Sequence, residues 1–192
     1  MVRWIINTSV FKLITFLVAG FVICAPAFCQ TYKGKNGKVK FFSEAPLENI
    51  EAVSNEANSV FKATTGAVAV LIPIRSFVFD KTLMRDHFNE TYMESNKYPE
   101  ATFVGKLEGG IPENVAEDKV ATVSGKLNLH GIIQEQNIQV TLKTDANGFL
   151  NVTGKFRIRL IDHKIKIPRI VFKNIAETVE VSFELKLKQT EQ

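Results

Sequence analysis

The stretch TVEVSFELKLK, residues 178–188, alternates apolar and polar side chains without a break. Val179, Val181, Phe183, Leu185 and Leu187 fall on one side, and Thr178, Glu180, Ser182, Glu184, Lys186 and Lys188 on the other. Successive side chains of an extended chain point to opposite faces, so the segment reads as a strand with one dry and one wet face. The pattern recurs upstream. Leu150, Val152, Phe156, Ile158 and Leu160 oppose Asn151, Thr153, Lys155, Arg157 and Arg159; Ile138, Val140 and Leu142 oppose Gln139, Thr141 and Lys143. Val123, Leu127 and Leu129 oppose Thr122, Ser124, Lys126 and Asn128. Turn residues separate these runs: His130-Gly131, then Asp145-Ala146-Asn147-Gly148. Long antiparallel hairpins are the expected result.

The segment GAVAVLIPI, residues 66–74, is apolar at both parities, which predicts a strand covered on both sides. Its inward set is taken as Val68, Val70 and Ile72. One helix is signalled. Asp80 is a suitable N-cap, and Met84, Phe88 and Tyr92 then form one i, i+4 row beside Leu83 and His87. Tyr98-Pro99 must end it, because proline has no N–H and its ring clashes with the preceding turn. A strand, ATFVGKL, follows, with Phe103 and Leu107 facing one way and Thr102 and Lys106 the other. Seven or eight such strands around one helix predict an all-β fold, either a closed antiparallel barrel or a sandwich. Closure would remove edges prone to aggregation.

Residues 1–30 stand apart. Arg3 and Lys12 precede the apolar run LITFLVAGFVIC, and small residues follow in APAFCQ. This is the pattern of a secretory signal peptide, too short for a membrane span, with cleavage expected between Ala27 and Thr31 and residues 31–192 left as one domain. A periplasmic or secreted location is the expectation. Removing Arg3 and Lys12 from 24 basic residues leaves 22 against 20 acidic ones, a net charge near +2. That balance gives no reason to expect a nucleic-acid partner. Both cysteines, Cys24 and Cys29, lie in the leader region, so neither a disulfide framework nor a thiolate metal cage is available to the domain.

Catalytic motifs are missing: there is no G-x-S-x-G, H-E-x-x-H or G-x-x-x-x-G-K-[ST]. His87, His130 and His163 lack metal-ligand spacing, and no cofactor is expected. His130 follows the outward parity of Asn128 and is expected at the surface. Asp162 and His163 are neighbours in an extended chain and so point apart rather than forming a dyad. Lys155, Arg157 and Arg159, with Lys164, Lys166 and Arg169, form a basic strip suited to an anionic membrane surface, although such strips are more often simply solvated.

Three stretches resemble a known family, the YceI-like lipid/polyisoprenoid-binding proteins. MRDHF leading to KYPEATF is similar to the family's Arg-Asp-x-His helix and Tyr-Pro corner. VSGKLNLHGIIQEQNIQVTLKT resembles its hairpin, and GKFRIRLIDHKIKIP its late strand and Asp-containing segment. The likeness spans roughly residues 36 to 188. Asn128, His130, Ile133 and Gln134 stand where threonines are usual, and His163 where an aromatic is common, which leaves the chemistry of the barrel mouth open.

The resemblance implies a lipocalin-like extended antiparallel β-barrel of about eight strands with one covering α-helix. It also implies a polyisoprenoid or similar long apolar lipid as partner, held by an exported, non-catalytic carrier. The expected ligand contacts are Val70, Ile72 and Phe103, then Leu127, Leu129, Ile138 and Val140, then Phe156, Ile158, Val181, Phe183 and Leu185. The same residues would serve equally as a filled core. Arg85 and His87 are candidates for a ligand head group, against a purely structural network centred on Asp86. The alternatives are a filled barrel acting in envelope stress or partner binding, or an enzyme acting on an isoprenoid or lipid. A homodimer and transient membrane contact are left open.

Overall fold

The computed structural model describes residues 30–44, 49–109, 117–166 and 176–190. The expected leader, the part of its expected cleavage region up to Cys29, and Arg169 of the basic strip lie outside the described residues. The strands are β1 (Thr31–Ser43), β2 (Ile50–Lys62), β3 (Ala67–Pro73), β4 (Val78–Phe79), β5 (Glu100–Leu107), β6 (Lys119–Leu129), β7 (Ile132–Thr144), β8 (Leu150–Arg159) and β9 (Thr178–Thr190). One short helix, α1 (Thr82–His87), continues into a π-turn over Phe88–Tyr92.

Every pairing is antiparallel, and β1 bonds to both β2 and β9, so eight strands close into a barrel. β4 is the extra strand, attached to β2 through Ala52 and Val53. The architecture expected from alternation is therefore present. At about 3.3 Å per residue, the 13-residue strands β1, β2, β7 and β9 run to roughly 40 Å, making a long, narrow barrel. His130 and Gly131 both have positive φ, the geometry of a two-residue hairpin turn matched to strand twist.

The barrel is not uniform along its axis. The β7–β8 ladder runs only from Val140–Gly154 to Thr144–Leu150, and the β2–β3 ladder only from Asn58–Leu71 to Lys62–Ala67. Beyond those points the wall parts on two sides. One half-sheet consists of β3, β5, β6 and β7, the other of β8, β9, β1 and β2. β4 and α1 roof one parting. A 3₁₀ turn, Leu160–His163, fills the other.

Two local expectations are corrected. Segment 67–73 is covered on both faces only toward its end: Ala67 and Ala69 are exposed and Leu71 and Pro73 half-buried, while Val68, Val70 and Ile72 face inward. Alanine tolerates solvent, so the first half of the outer face needs no cover. Asp80 does not cap the helix; Lys81 occupies the N-cap with no side-chain cap bond. α1 is also shorter than its spacing suggested, because the π-turn takes over at Phe88.

Glycine is required inside the wall at Gly105 and Gly125, which are directly paired across β5 and β6. A Cβ on Gly125 would lie 2.5 Å from the Val104 carbonyl oxygen and 2.7 Å from Cζ of Phe103. The ring of Phe103 thus lies over a floor that only glycine leaves flat.

At the other end, the β7–β8 turn is held by Asp145. Its Oδ1 accepts hydrogen bonds from the N–H groups of Asn147 and Phe149 at 3.0 Å, and its Oδ2 lies 2.8 Å from Lys186 Nζ. The Lys186 bond, followed by the Phe149 amide, lowers its pKa from 3.8 to about 2. A carboxyl depressed on folding contributes stability that is complete above its unfolded pKa and is lost as pH falls through the folded one. The Asp145 contribution should therefore vanish between about pH 4 and pH 2. Urea melts of wild type and Asp145→Asn should differ at pH 6 and converge near pH 2. A constant gap across that window would contradict the account.

Candidate functional site

The inward faces of the strands enclose two chambers. The inner one, in the fully closed part of the barrel, has a volume of about 110 Å³; the outer one, between the parted half-sheets, has about 250 Å³. Val39, Ile72, Ala101, Leu127, Phe156 and Val181 line both. These six side chains form a shared waist, the ring at which the two chambers meet.

All twelve apolar candidates line one chamber or the other, or both. Val70, Phe103, Ile138, Val140, Phe183 and Leu185 line the inner chamber, and Leu129 and Ile158 the outer one. Ile72, Leu127, Phe156 and Val181 belong to both. Phe156 meets Phe183 edge-on, with centroids 6.4 Å apart.

The charged candidates fare differently. Arg85 is exposed, bonds the neighbouring Asp86 at 2.9 Å and lines neither chamber. Its place is on the outer side of α1, paired with Asp86. His87 is exposed on α1 and stands at the edge of the outer chamber.

The roof of the outer chamber is aromatic. Phe88 stacks on Phe41 at 5.4 Å and 18°, and packs against Phe77 and Phe79 at 5.7 and 5.0 Å. Met84, Tyr92 and Met93 complete it. Burial raises the Tyr92 pKa above its ordinary value. The remaining polar side chains in the walls are Ser43, Ser59 and Thr102, and among the described residues no hydrogen bond links any two of these wall groups, His87 and Tyr92 included. No group of three His, Cys, Asp or Glu side chains able to hold a metal occurs among the described residues.

His130 and His163 form a clasp beside the outer chamber. His163 is 1% exposed, and its Nδ1–H donates to the carbonyls of Leu129 and Ile132, each at 3.2 Å. The His163 carbonyl lies 3.1 Å from His130 Nδ1, while His130 Nε2 meets Glu94 at 2.8 Å under the edge of Tyr98. His130 is therefore not a surface residue. The clasp ties the β6–β7 turn, the helix exit and the 3₁₀ turn together. Alternation could not show it, because the contacts join segments some 30 residues apart and involve backbone carbonyls. Removing the imidazole takes one hydrogen bond from each of two carbonyls, at roughly 1–3 kcal/mol in all, and leaves a cavity. His163→Ala should lower Tm by roughly 6–12 °C in a scanning calorimeter. A change below about 2 °C would show the clasp to be dispensable.

An eight-stranded barrel with an apolar and partly empty interior belongs to the class of barrels able to enclose one slender ligand. The chain belongs to the YceI-like domain family, whose model matches residues 29–187. Among solved structures, a polyisoprenoid binding domain from Saccharophagus degradans, implicated in plant cell wall breakdown, is 18% identical with a TM-score of 0.71, covering 85% of this chain and 99% of that one. BcnA of Burkholderia cenocepacia is 20% identical (TM-score 0.65; 78% and 95% covered). The YceI protein of Campylobacter jejuni is 13% identical (TM-score 0.60; each chain fully covered). No curated protein matches the sequence.

Proposed function

We propose that this protein is an exported, non-catalytic carrier that encloses a polyisoprenoid or similar long-chain lipid in its barrel. The observation that carries this reading is the waist: two apolar chambers meet there inside an eight-stranded barrel, and a slender chain threading it would occupy both. The polyisoprenoid-binding description of the Saccharophagus domain supports the same class of ligand. A leader at residues 1–30 supports export.

Energetics favour a long chain. Burying one CH₂ is worth roughly 0.8 kcal/mol, so a five-carbon isoprene unit contributes on the order of 3 to 4. Association costs on the order of 4 to 15 kcal/mol, so several units are needed before binding is useful. Displacement of a fluorescent apolar probe by prenyl alcohols of increasing length tests this. Affinity should rise by roughly a hundredfold per added isoprene unit until the chambers are full. Equal displacement by short and long alcohols would refute the reading. The same arithmetic makes transport through free water costly: a twenty-carbon chain would lose on the order of 16 kcal/mol.

A further inference from the structure

A carrier of long chains has to load and release where water is excluded, which directs attention to the surface around the open half of the barrel. Among the described residues, four of the six large apolar side chains that stand out into solvent lie at that end: Val78, Leu83, Ile133 and Ile161. Ile133 and Ile161 are 61% and 65% exposed and flank the parting between β7 and β8. The segments that carry them are tied together, because Gln134 Nε2 donates to the Asp162 carbonyl at 2.9 Å.

The surroundings of this pair are basic. Arg157 and Arg159 point outward from the stretch of β8 that pairs with β9 but no longer with β7, and Lys164 and Lys166 are exposed just beyond the 3₁₀ turn. Asp162, 3.9 Å from Arg159, and Glu135 are the acids on the same segments, and Glu180 faces Arg157 across the β8–β9 ladder. Two exposed isoleucines with four exposed cations on the same and neighbouring segments suit a layer with negative head groups outside and hydrocarbon beneath.

We propose that this face, with Ile133 and Ile161 at its centre and Arg157, Arg159, Lys164 and Lys166 around them, docks on an anionic lipid bilayer. The inference rests on the carrier reading, since docking would set the parted wall of the outer chamber against the lipid phase.

The test is sedimentation of the purified domain with vesicles of phosphatidylcholine alone and with about 30% phosphatidylglycerol. The expected result is binding to the anionic vesicles that weakens between about 0.1 M and 0.5 M salt. Neutralising Arg157, Arg159, Lys164 and Lys166 to Gln should weaken it at least about a hundredfold, at roughly a factor of five per charge. Ile133→Ser with Ile161→Ser should cost roughly tenfold or more. Val104→Ser with Val120→Ser, which removes exposed apolar groups elsewhere on the barrel, should change nothing. Absence of vesicle binding, or equal losses in the Val104/Val120 control, overturns the proposal. So does binding unaffected by the isoleucine and charge variants. Lipid co-purifying with each variant is measured separately. Retained lipid with lost vesicle binding supports the docking face, whereas wild type devoid of lipid counts against the carrier reading alone.

Discussion

Ala101→Phe should abolish uptake of long chains while leaving the barrel folded. Ala101 is 5% exposed and lines both chambers at the waist. A cavity of about 150 Å³ accepts a benzene ring, and the outer chamber offers about 250 Å³, so the new ring has space without displacing the wall. Filling a cavity commonly adds stability, about 0.5–2 kcal/mol. The same ring closes the waist. A bound chain would lose every methylene beyond the waist, and four of them account for about 3 kcal/mol, more than a hundredfold in Kd. Probe titration and thermal melting together check this: binding falls and Tm holds or rises. A variant that binds a twenty-carbon prenyl alcohol as well as wild type would show that the ligand does not thread the waist.

The largest effect on folding is expected at Gly125→Val. The added Cβ would meet the Val104 carbonyl at 2.5 Å and Cα of Gly105 at 2.6 Å, and backbone atoms in a closed ladder cannot move aside. Overpacking a core ordinarily costs 1–3 kcal/mol, and a β-branched residue wedged against backbone belongs at or above the upper end, about 3 kcal/mol. Against a typical total of 5–15 kcal/mol this is a large fraction. Circular dichroism with urea should show the midpoint lowered, or no folded protein recovered. An unchanged midpoint would mean that β5 and β6 are not paired glycine to glycine. Phe103→Leu, by contrast, should be tolerated, because it removes volume over the glycines.

The parts of this fold legible in the sequence are those in which large apolar residues alternate. β6 to β9 and β5 announce themselves through Val123, Ile138, Phe156 and Val181, and the inward parity of Val68, Val70 and Ile72 follows the same rule. β1 and β2 do not. Their inward positions include Gly34, Gly37, Ala52, Ser54, Ala57 and Ser59, all small, and a bulge at Asn36 (φ 56°) shifts the register between Gly34 and Val39. Small residues there leave room for Leu185 and Leu187, so their size is a packing signal rather than a strand signal. The parting of the wall was also hidden. Each strand shows its own two faces but not how far it stays bonded to its neighbour. The chamber linings could be read, since parity alone places Leu127 and Phe156 inside. Arg85 could not, because one residue along α1 turns a side chain from the chamber to solvent.

Native mass spectrometry of the mature protein purified from its own host, followed by organic extraction, tests the central claim most directly. The account predicts one long-chain lipid per barrel, lost in Ala101→Phe. A protein that is empty at native concentration and takes up no prenyl alcohol when supplied would contradict it.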